Sequence, residues 1–339
     1  MPVSCAYLLP LRRTRFNPAE AQQLVEYIKQ LRACGCDVMV VDGSPAGVFE
    51  QHDALWRAHC RHVPVDRRFG YPNDKVNGVH TGIALTNCEK IVLADDDIRY
   101  SGNEILEITQ LLDRFDLVRP QNYLAPLPWW ARSEAARMLI NRALLRTADY
   151  PGTCAFRRST MLRVGHYDGD VLFDNEELIR HFASHGAAVA YANDLFVRKL
   201  PPSFRKWIEQ RPRQAYEDFG LRVKTIFFAS LLPLGIGLPF LLGARATLVI
   251  GGIFALLAMT VAAAGRARGT AARFFPFTAC WWAPFWIFER ALSTYLALYW
   301  YLVYRGYPFG ERVLSKGIGR DWRAGGRVAS LRLREGQTL

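Results

Sequence analysis

The strongest candidate for chemistry is a run of three aspartates that follows a short apolar segment. Lys90–Ala94 has the composition of a buried strand, and Asp95, Asp96 and Asp97 come directly after it. Adjacent carboxylates repel one another, so a cation or a set of donors must neutralise them there. In an extended segment Asp95 and Asp97 point the same way and could hold one hard divalent ion, whose other positions take phosphate oxygens and water. We therefore predict a metal–diphosphate site, with a solvated turn as the alternative.

Two other segments place polar side chains beside predicted strand or helix ends. Asp37–Val41 predicts a strand, and the turn that follows it begins with Asp42. Turn chemistry alone explains this turn, but a carboxylate at a strand end also suits a base N–H or a ribose hydroxyl. Lys75 begins a predicted helix one strand before the aspartates. It suits a diphosphate, and the alternative is a solvated lysine.

A third polar group begins a predicted helix that runs from about Asn175 and ends before Gly186. Asp174 is a good N-cap residue there, and acids in a first helical turn complement the helix dipole. The carboxylates of Asp174 and Glu176 also suit a catalytic base beside a pocket. Both interpretations are open from the residues alone.

Arginines and aromatic residues stand together just before the most apolar part of the chain, at Trp207, Arg211, Arg213 and Tyr216. Juxtamembrane arginines commonly meet anionic lipid. A guanidinium group also binds phosphate through two parallel hydrogen bonds. The segment therefore predicts either a lipid-facing basic stretch or a phosphate contact.

Strand and helix patterns alternate through residues 1–220, which predicts an α/β fold with a parallel, doubly wound sheet. Ligands of such sheets bind outside the carboxyl ends of the strands, so Asp42 and the three aspartates should face one crevice. The predicted strands are 6–11, 37–41, 90–94, 116–119, 187–192 and 195–197, and the predicted helices are 18–34, 76–85, 104–114, 131–148 and 175–184. Residues 120–130 predict a loop rich in proline and aromatic residues.

The composition indicates a globular chain with a membrane region. Of the 339 residues half are hydrophobic, which excludes a disordered or fibrous polypeptide. The 43 Lys and Arg residues exceed the 31 Asp and Glu residues by 12. Most basic residues near the apolar part of the chain flank it, as expected of cytoplasmic flanks, so nucleic acid is the weaker explanation of the charge. The seven cysteines lack zinc-type pairing and predict reduced thiols.

Two apolar stretches, Val223–Gly243 and Ala246–Ala264, are each long enough to cross a bilayer, and a tight hairpin must join them. Phe274–Tyr304 is apolar and aromatic but carries Glu289 and Arg290 at its middle, which favours a re-entrant or interfacial hairpin over a full span. The N-terminus has too short an apolar stretch for a signal peptide. We predict a catalytic domain at 1–220, a membrane region at 221–304 and a basic tail at 305–339, with domain and tail both cytoplasmic in a multi-pass protein of the cell membrane.

Taken in order, these segments resemble the family 2 glycosyltransferases, which have a Rossmann-like, nucleotide-sugar-binding GT-A fold, here of the membrane-anchored kind that includes ceramide glucosyltransferase-like enzymes. The motifs that carry the resemblance are Pro10-Leu11, Asp42, Lys75, Asn77-Gly78, the DxD motif Asp95–Asp97, Pro151–Arg158, the acidic box Asp174–Leu178 with Gly186, and Gln210-Arg211-Pro212-Arg213 in place of a Q/RxxRW motif. Two positions depart from the family. Asn175 stands where the usual base aspartate is expected, which leaves the base open between Asp174 and Glu176, and Gln214 replaces the final tryptophan.

The resemblance implies an inverting, metal-dependent transfer of one sugar from a nucleotide-diphosphate sugar to a lipid or lipid-linked hydroxyl at the cytoplasmic membrane face. Asp95 and Asp97 would hold Mg²⁺ or Mn²⁺, and Asp174 or Glu176 would be the base. A UDP-sugar is the favoured donor and a GDP-sugar the alternative. The donor contacts would be Pro10, Leu11, Asp42, Lys75, Asn77, Asp95, Asp96, Gln210, Arg211 and Arg213. Neither a nucleic acid nor a protein partner is implied.

Two other functions fit part of the pattern. A nucleotidyltransferase also uses strand-end aspartates and a metal, although it would not need the acidic box. Asn175 at the base position keeps open a third function, a membrane-tethered scaffold or sugar-nucleotide-binding protein that has lost its base.

Overall fold

The structure is a computed structural model that describes residues 4–145, 152–217, 222–309, 312–314 and 328–331. The predicted tail lies mostly outside the described residues, as does Pro151. The chain divides into two compact units. The first contains Met1–Asn122, Tyr150–Lys199 and Gly319–Arg332, and the second contains Tyr123–Asp149, Leu200–Ile318 and Leu333–Leu339.

The described residues form eleven strands, ten α-helices and three short 3₁₀ helices. The strands are β1 (Cys5–Leu11), β2 (Cys36–Asp42), β3 (Arg61–Pro64), β4 (Lys90–Ala94), β5 (Ile98–Arg99), β6 (Leu117–Leu124), β7 (Thr153–Arg157), β8 (Val189–Lys199), β9 (Tyr307–Phe309), β10 (Arg312–Leu314) and β11 (Val328–Leu331). The helices are α1 (Pro18–Ala33), α2 (Ala46–Trp56), α3 (Asp74–Leu85), α4 (Gly102–Leu111), α5 (Arg132–Leu144), α6 (Arg158–Val164), α7 (Asp174–Ser184), α8 (Phe204–Glu217), α9 (Arg222–Arg266) and α10 (Ala283–Tyr304).

The first unit is built on one sheet with the strand order β11-β8-β6-β7-β4-β1-β2-β3, and β5 pairs with β8. β1 is parallel to β2 and to β4, and β2 is parallel to β3. β7 runs antiparallel to both β4 and β6. The α/β prediction is therefore confirmed, but the wholly parallel sheet is wrong, because an apolar run marks a buried strand without indicating its direction.

Apolar side chains cover both faces of this sheet, which explains why its strands are continuous apolar runs. Tyr7 and Leu9 of β1 belong to the core under α1 and α4, and Leu8 belongs to the core under α3 and α7. Two glycines let α3 approach β1 closely. A Cβ on Gly82 would lie 2.1 Å from Leu8 Cδ1, and a Cβ on Gly78 would lie 2.8 Å from Pro10 Cβ. The first turn of α3 is thereby fixed near the end of β1.

Two elements differ from their sequence predictions. Residues 120–124 continue β6 and are not a loop, because the buried Asn122 satisfies its side chain within the sheet. Its Nδ2 donates to Val197 O at 3.1 Å, and its Oδ1 accepts from Gly152 N at 2.9 Å. The two predicted strands at 187–197 form the single strand β8. Polar residues inside a strand hide it from pattern analysis when neighbouring strands supply their partners.

In the second unit α9 folds back on itself at Gly243, whose φ of 80° breaks the helix. The Phe228 and Trp286 rings lie 5.6 Å apart, and Arg266 Nε donates to Phe275 O at 2.7 Å. A straight helix would separate Phe228 from Arg266 by about 57 Å. The partner residues, Trp286 and Phe275, are joined by a mostly helical segment that spans only about 25 Å. The two halves therefore form a hairpin, which the sequence predicts with its turn one residue later.

By length and composition, one helix among the described residues is suited to crossing a membrane. It covers Val223–Arg266; its most apolar 18-residue window has a mean hydropathy of 2.3, and 17% of that window is buried. No residue of 233–257 is buried. Ala283–Tyr304 forms one continuous helix, so the aromatic hairpin predicted for Phe274–Tyr304 is wrong.

Candidate functional site

The three aspartates lie at the carboxyl end of β4, where each contacts a cationic side chain from a different part of the first unit. Lys75 Nζ is 2.5 Å from Asp95 Oδ1, and Arg13 donates to Asp96. Lys199 Nζ is 3.5 Å from Asp97 Oδ2. The chain itself thus supplies three cations to this run, and the predicted metal–diphosphate site stays a prediction.

Lys75 joins the aspartates to the acidic box. Its Nζ lies 2.8 Å from Asp174 Oδ2 and donates to Asn175 Oδ1 at 3.0 Å. Burial opposes the charge of Lys75, but the nearby carboxylates of Asp174 and Asp95 outweigh burial and hold its pKa above the usual range. Lys75 is therefore a charged bridge between the end of β4 and the start of α7.

Asn73 positions both ends of this bridge. Its Oδ1 accepts from Lys75 N at 3.1 Å and so caps α3. Its Nδ2 donates to Val171 O at 2.9 Å, and its backbone N–H donates to Gly169 O at 3.0 Å. The segment that leads into α7 is thus fastened to the first turn of α3, and Asp174 is held beside Lys75.

The two candidates for the base have different surroundings. α7 begins at Asp174, and its N-cap residue, Phe173, makes no side-chain cap bond, so the expected capping role of Asp174 is wrong. Glu176 lies 3.3 Å from a guanidinium nitrogen of Arg119. Arg119 is 1% exposed, so Glu176 neutralises a buried cation. Asp174 instead belongs to the group of carboxylates around Lys75.

Asp42 lies at the carboxyl end of β2, as predicted, but its side chain has no exposed surface. Its Oδ1 accepts from Ser44 N at 2.8 Å. Its Oδ2 lies 2.7 Å from His52 Nδ1 and 3.2 Å from His62 Nε2. Burial alone would raise the pKa of Asp42, but the hydrogen bonds from His62, Ser44 and His52 lower it to about 2. Asp42 thus anchors two histidines, and its predicted contact with a base or ribose stays a prediction.

His62 lies between two carboxylates. Its Nδ1 is 2.9 Å from Asp53 Oδ1, while its Nε2 faces Asp42. The His62 ring therefore links Asp42 at the end of β2 to Asp53 of α2. Phe49 stacks on this ring at 4.3 Å, and Trp56 stacks on His52 at 4.0 Å.

Three other predicted donor contacts shape the edge of the sheet. Pro10 packs against Gly78, and Leu11 pairs with Asp42 across β1 and β2. Asn77 is 7% exposed, and its amide bonds both backbone groups of Tyr71, at 2.7 and 3.0 Å. Asn77 therefore fixes the loop before α3 and has little surface to offer a ligand.

Gln210, Arg211 and Arg213 lie on α8 in the second unit. Arg211 is buried, and its guanidinium donates to Glu134 of α5 at 2.9 Å. Glu289 of α10 lies 3.9 Å from the same guanidinium. Gln210 and Arg213 are half-buried. Their predicted contact with a donor stays a prediction.

The contacts of α8 also explain the charges in the middle of α10. Arg290 donates to Gln214 at 3.2 Å and lies over the ring of Trp286. Glu289 accepts from Ser293 at 2.5 Å. The charges are thus satisfied inside a helical bundle, which reduces the cost of placing them in an apolar segment.

Four residues of the site were absent from the sequence prediction: Arg13, Arg119, Asn73 and Lys199. A usable signal existed for two of them. Arg13 follows β1, and Lys199 is the last residue of β8. The aspartates were identified because strand ends meet at one edge of the sheet, and the same argument applies to cations at strand ends.

The aspartates have the donor chemistry that a hard divalent ion needs. Among the described residues, no three His, Cys, Asp or Glu side chains lie close enough to hold a metal alone. Asp95 and Asp97 are each about one-third exposed and already contact ammonium groups. Two carboxylates at a strand end fit an ion that takes its other ligands from phosphate and water.

No protein-family model and no curated protein matches the sequence. Among solved structures, the chain is similar to a mannosyltransferase from Pyrobaculum calidifontis in complex with GDP-Man and Mn²⁺. The identity is 17% and the TM-score 0.48, over 86% of this chain and 87% of that one. It is also similar to glucosyl-3-phosphoglycerate synthase from Mycobacterium tuberculosis in complex with Mn²⁺, UDP and phosphoglyceric acid. There the identity is 17% and the TM-score 0.41, over 60% of this chain and 72% of that one.

Proposed function

We propose that the chain is a membrane-anchored, metal-dependent glycosyltransferase that moves one sugar from a nucleotide-diphosphate sugar to a lipid or lipid-linked hydroxyl with inversion. The observation that carries the proposal is the bridge from Asp95 through Lys75 to Asp174. It puts a carboxylate pair suited to a metal–diphosphate within reach of a third carboxylate on a separate element. A sugar transfer needs both parts, and a nucleotidyltransferase needs only the first.

In this proposal Asp95 and Asp97 would hold Mg²⁺ or Mn²⁺, which would supply Lewis-acid stabilisation of the leaving diphosphate. Lys75 moves from the carboxylates to the phosphate oxygens and neutralises part of their charge. Asp174 then accepts the proton of the acceptor hydroxyl as that oxygen attacks the sugar carbon. We assign the base to Asp174 because Glu176 is committed to the buried charge of Arg119.

The second unit supports the proposed lipid acceptor. Its helix at Val223–Arg266 exposes apolar side chains along nearly all its length. Exposed apolar surface of this size is typical of a membrane-facing segment. We propose that this hairpin and α10 anchor the protein in the cell membrane as a multi-pass protein, with the catalytic unit on the cytoplasmic side. So few helices cannot enclose a polysaccharide channel, which favours the transfer of a single sugar.

The test is release of free nucleoside diphosphate from UDP- and GDP-sugars by the detergent-solubilised protein, with Mn²⁺ and a lipid extract. Asp97→Asn should abolish release, because it removes one metal ligand and leaves the other unable to hold the ion alone. Asp113→Asn is the matched control, since Asp113 pairs with Lys90 at 2.6 Å away from the proposed site. Full activity of Asp97→Asn, or of wild type in EDTA, would contradict the metal site. Release of a sugar 1-phosphate would identify a nucleotidyltransferase, and donor binding without release a non-catalytic protein.

A further inference from the structure

Every aspartate of the DxD motif is held by a cation that belongs to the chain itself. The three cations come from separate elements, since Lys75 is on α3, Lys199 ends β8 and Arg13 follows β1. A surface turn of three aspartates would need none of these partners, because water solvates it. The arrangement brings side-chain charge from distant parts of the sequence to the place where a metal ion is expected.

The group is compact. A Cβ on Gly152 would lie 2.7 Å from Asp95 Oδ2 and 3.2 Å from Lys199 Nζ, so the carboxylate and the ammonium nitrogen are at most about 6 Å apart. Lys75 Nζ lies on another oxygen of the same carboxylate, at 2.5 Å. An ion bound to Asp95 and Asp97 would therefore stand close to two ammonium groups.

Charge arithmetic gives the consequence. The carboxylates are those of Asp95, Asp96, Asp97 and Asp174, and the cations are those of Lys75, Lys199 and Arg13, which leaves a formal charge of −1 (three minus four). Counting Glu20, which also pairs with Arg13, makes it −2 (three minus five). So small a negative charge attracts a divalent ion weakly. A diphosphate changes this balance, because its oxygens offer the lysines new partners and the ion new ligands.

We propose that Lys75 and Lys199 take the place of the divalent ion in the donor-free protein. The two lysines release Asp95 and Asp97 only when a diphosphate binds to the lysines. Metal binding is then coupled to donor binding. Lys75 also releases Asp174 in the same movement, so the base becomes available only when a donor is present. This inference rests on the proposed function and specifies how its site is regulated.

The probe is Mn²⁺, whose dissociation constant is measured by electron paramagnetic resonance without nucleotide and with UDP or GDP. We expect wild type to bind Mn²⁺ weakly alone and at least tenfold more tightly with the matching nucleotide. In Lys75→Met the donor-free protein should bind Mn²⁺ about tenfold more tightly than wild type, because a like charge near the ion is removed. Lys75→Arg keeps the charge and should bind as weakly as wild type. Lys90→Met, which removes a lysine paired with Asp113 at 2.6 Å, is the matched control.

Lys199→Met provides a second test through an independent lysine and should shift donor-free binding in the same direction. Circular dichroism and thermal unfolding establish that each variant is folded. Two results would overturn the coupling and leave the proposed function standing. One is a Mn²⁺ affinity of wild type that neither UDP nor GDP changes. The other is an unchanged donor-free Mn²⁺ affinity in the folded Lys75→Met and Lys199→Met variants. Failure of wild type to bind Mn²⁺ under any of these conditions would overturn both.

Discussion

Replacing Asp42 by asparagine should destabilise the protein and leave any donor contact nearly unchanged. The pKa of Asp42 falls from 3.8 to about 2 in the folded protein. That shift corresponds to about 2 kcal/mol of folding free energy at neutral pH. The carboxylate is fully buried, so solvent does not screen the interaction. The amide of the new side chain would keep one acceptor oxygen but lose the negative charge that the two histidines face.

The sign of the pH dependence follows from the lowered pKa. The stabilisation is fully present above the unfolded pKa of 3.8 and is lost as the pH falls through about 2. Wild type should therefore lose this stability between about pH 5 and pH 2, while Asp42→Asn should lack that part of the pH dependence.

The assay is chemical unfolding of the detergent-solubilised protein, followed by tryptophan fluorescence. Trp56 stacks on His52 at 4.0 Å and therefore reports on this network. Asp53→Asn is a useful comparison, because Asp53 also contacts His62 but is partly exposed. A stability loss below about 0.5 kcal/mol in Asp42→Asn, together with a large loss of nucleotide affinity, would refute the structural role and restore the direct donor contact.

Three further results are expected. Asp174→Asn should lower kcat at least about 100-fold with little change in donor affinity, whereas Glu176→Gln should act mainly on stability. Steady-state kinetics and thermal unfolding distinguish the two effects. A normal rate in Asp174→Asn would exclude Asp174 as the base. Gly152→Ala should weaken Mn²⁺ binding in the presence of UDP or GDP, because its Cβ would push Asp95 aside; unchanged Mn²⁺ affinity would contradict that contact. A cysteine introduced at Ala244 should react with an impermeant thiol reagent from the side opposite the catalytic unit, and labelling from the same side would contradict a membrane-crossing hairpin.

The sequence predicts the strand-end chemistry well because that chemistry depends on local pattern. Lys90–Ala94 matches β4 residue for residue, and the three aspartates lie where the end of that strand places them. The helix that carries Lys75 begins one residue before it, at Asp74. Short apolar runs and the polar residues that end them are fixed by neighbours in the sequence.

The parts that could not be predicted depend on residues far apart in the chain. Lys75 and Asp174 are brought together by Asn73, whose bonds to Gly169 and Val171 leave no periodic signal. Asp42 is held by His62, which lies 20 residues further along the chain and outside every element predicted from the sequence. Each of these contacts is set by tertiary packing, which overrides local preference.

The close contact of α3 with β1 at Gly78 and Gly82 couples the position of the site to the packing of the core. Gly82 lies about 10 Å along α3 from Lys75, and its missing side chain lets the helix rest directly on Leu8. The position of Lys75 near the start of the helix therefore depends on the contact of Gly82 with the sheet. A methyl group at Gly82 would push α3 away from Leu8. Lys75 would then move relative to Asp95 and Asp174, without any change to the residues that perform the chemistry.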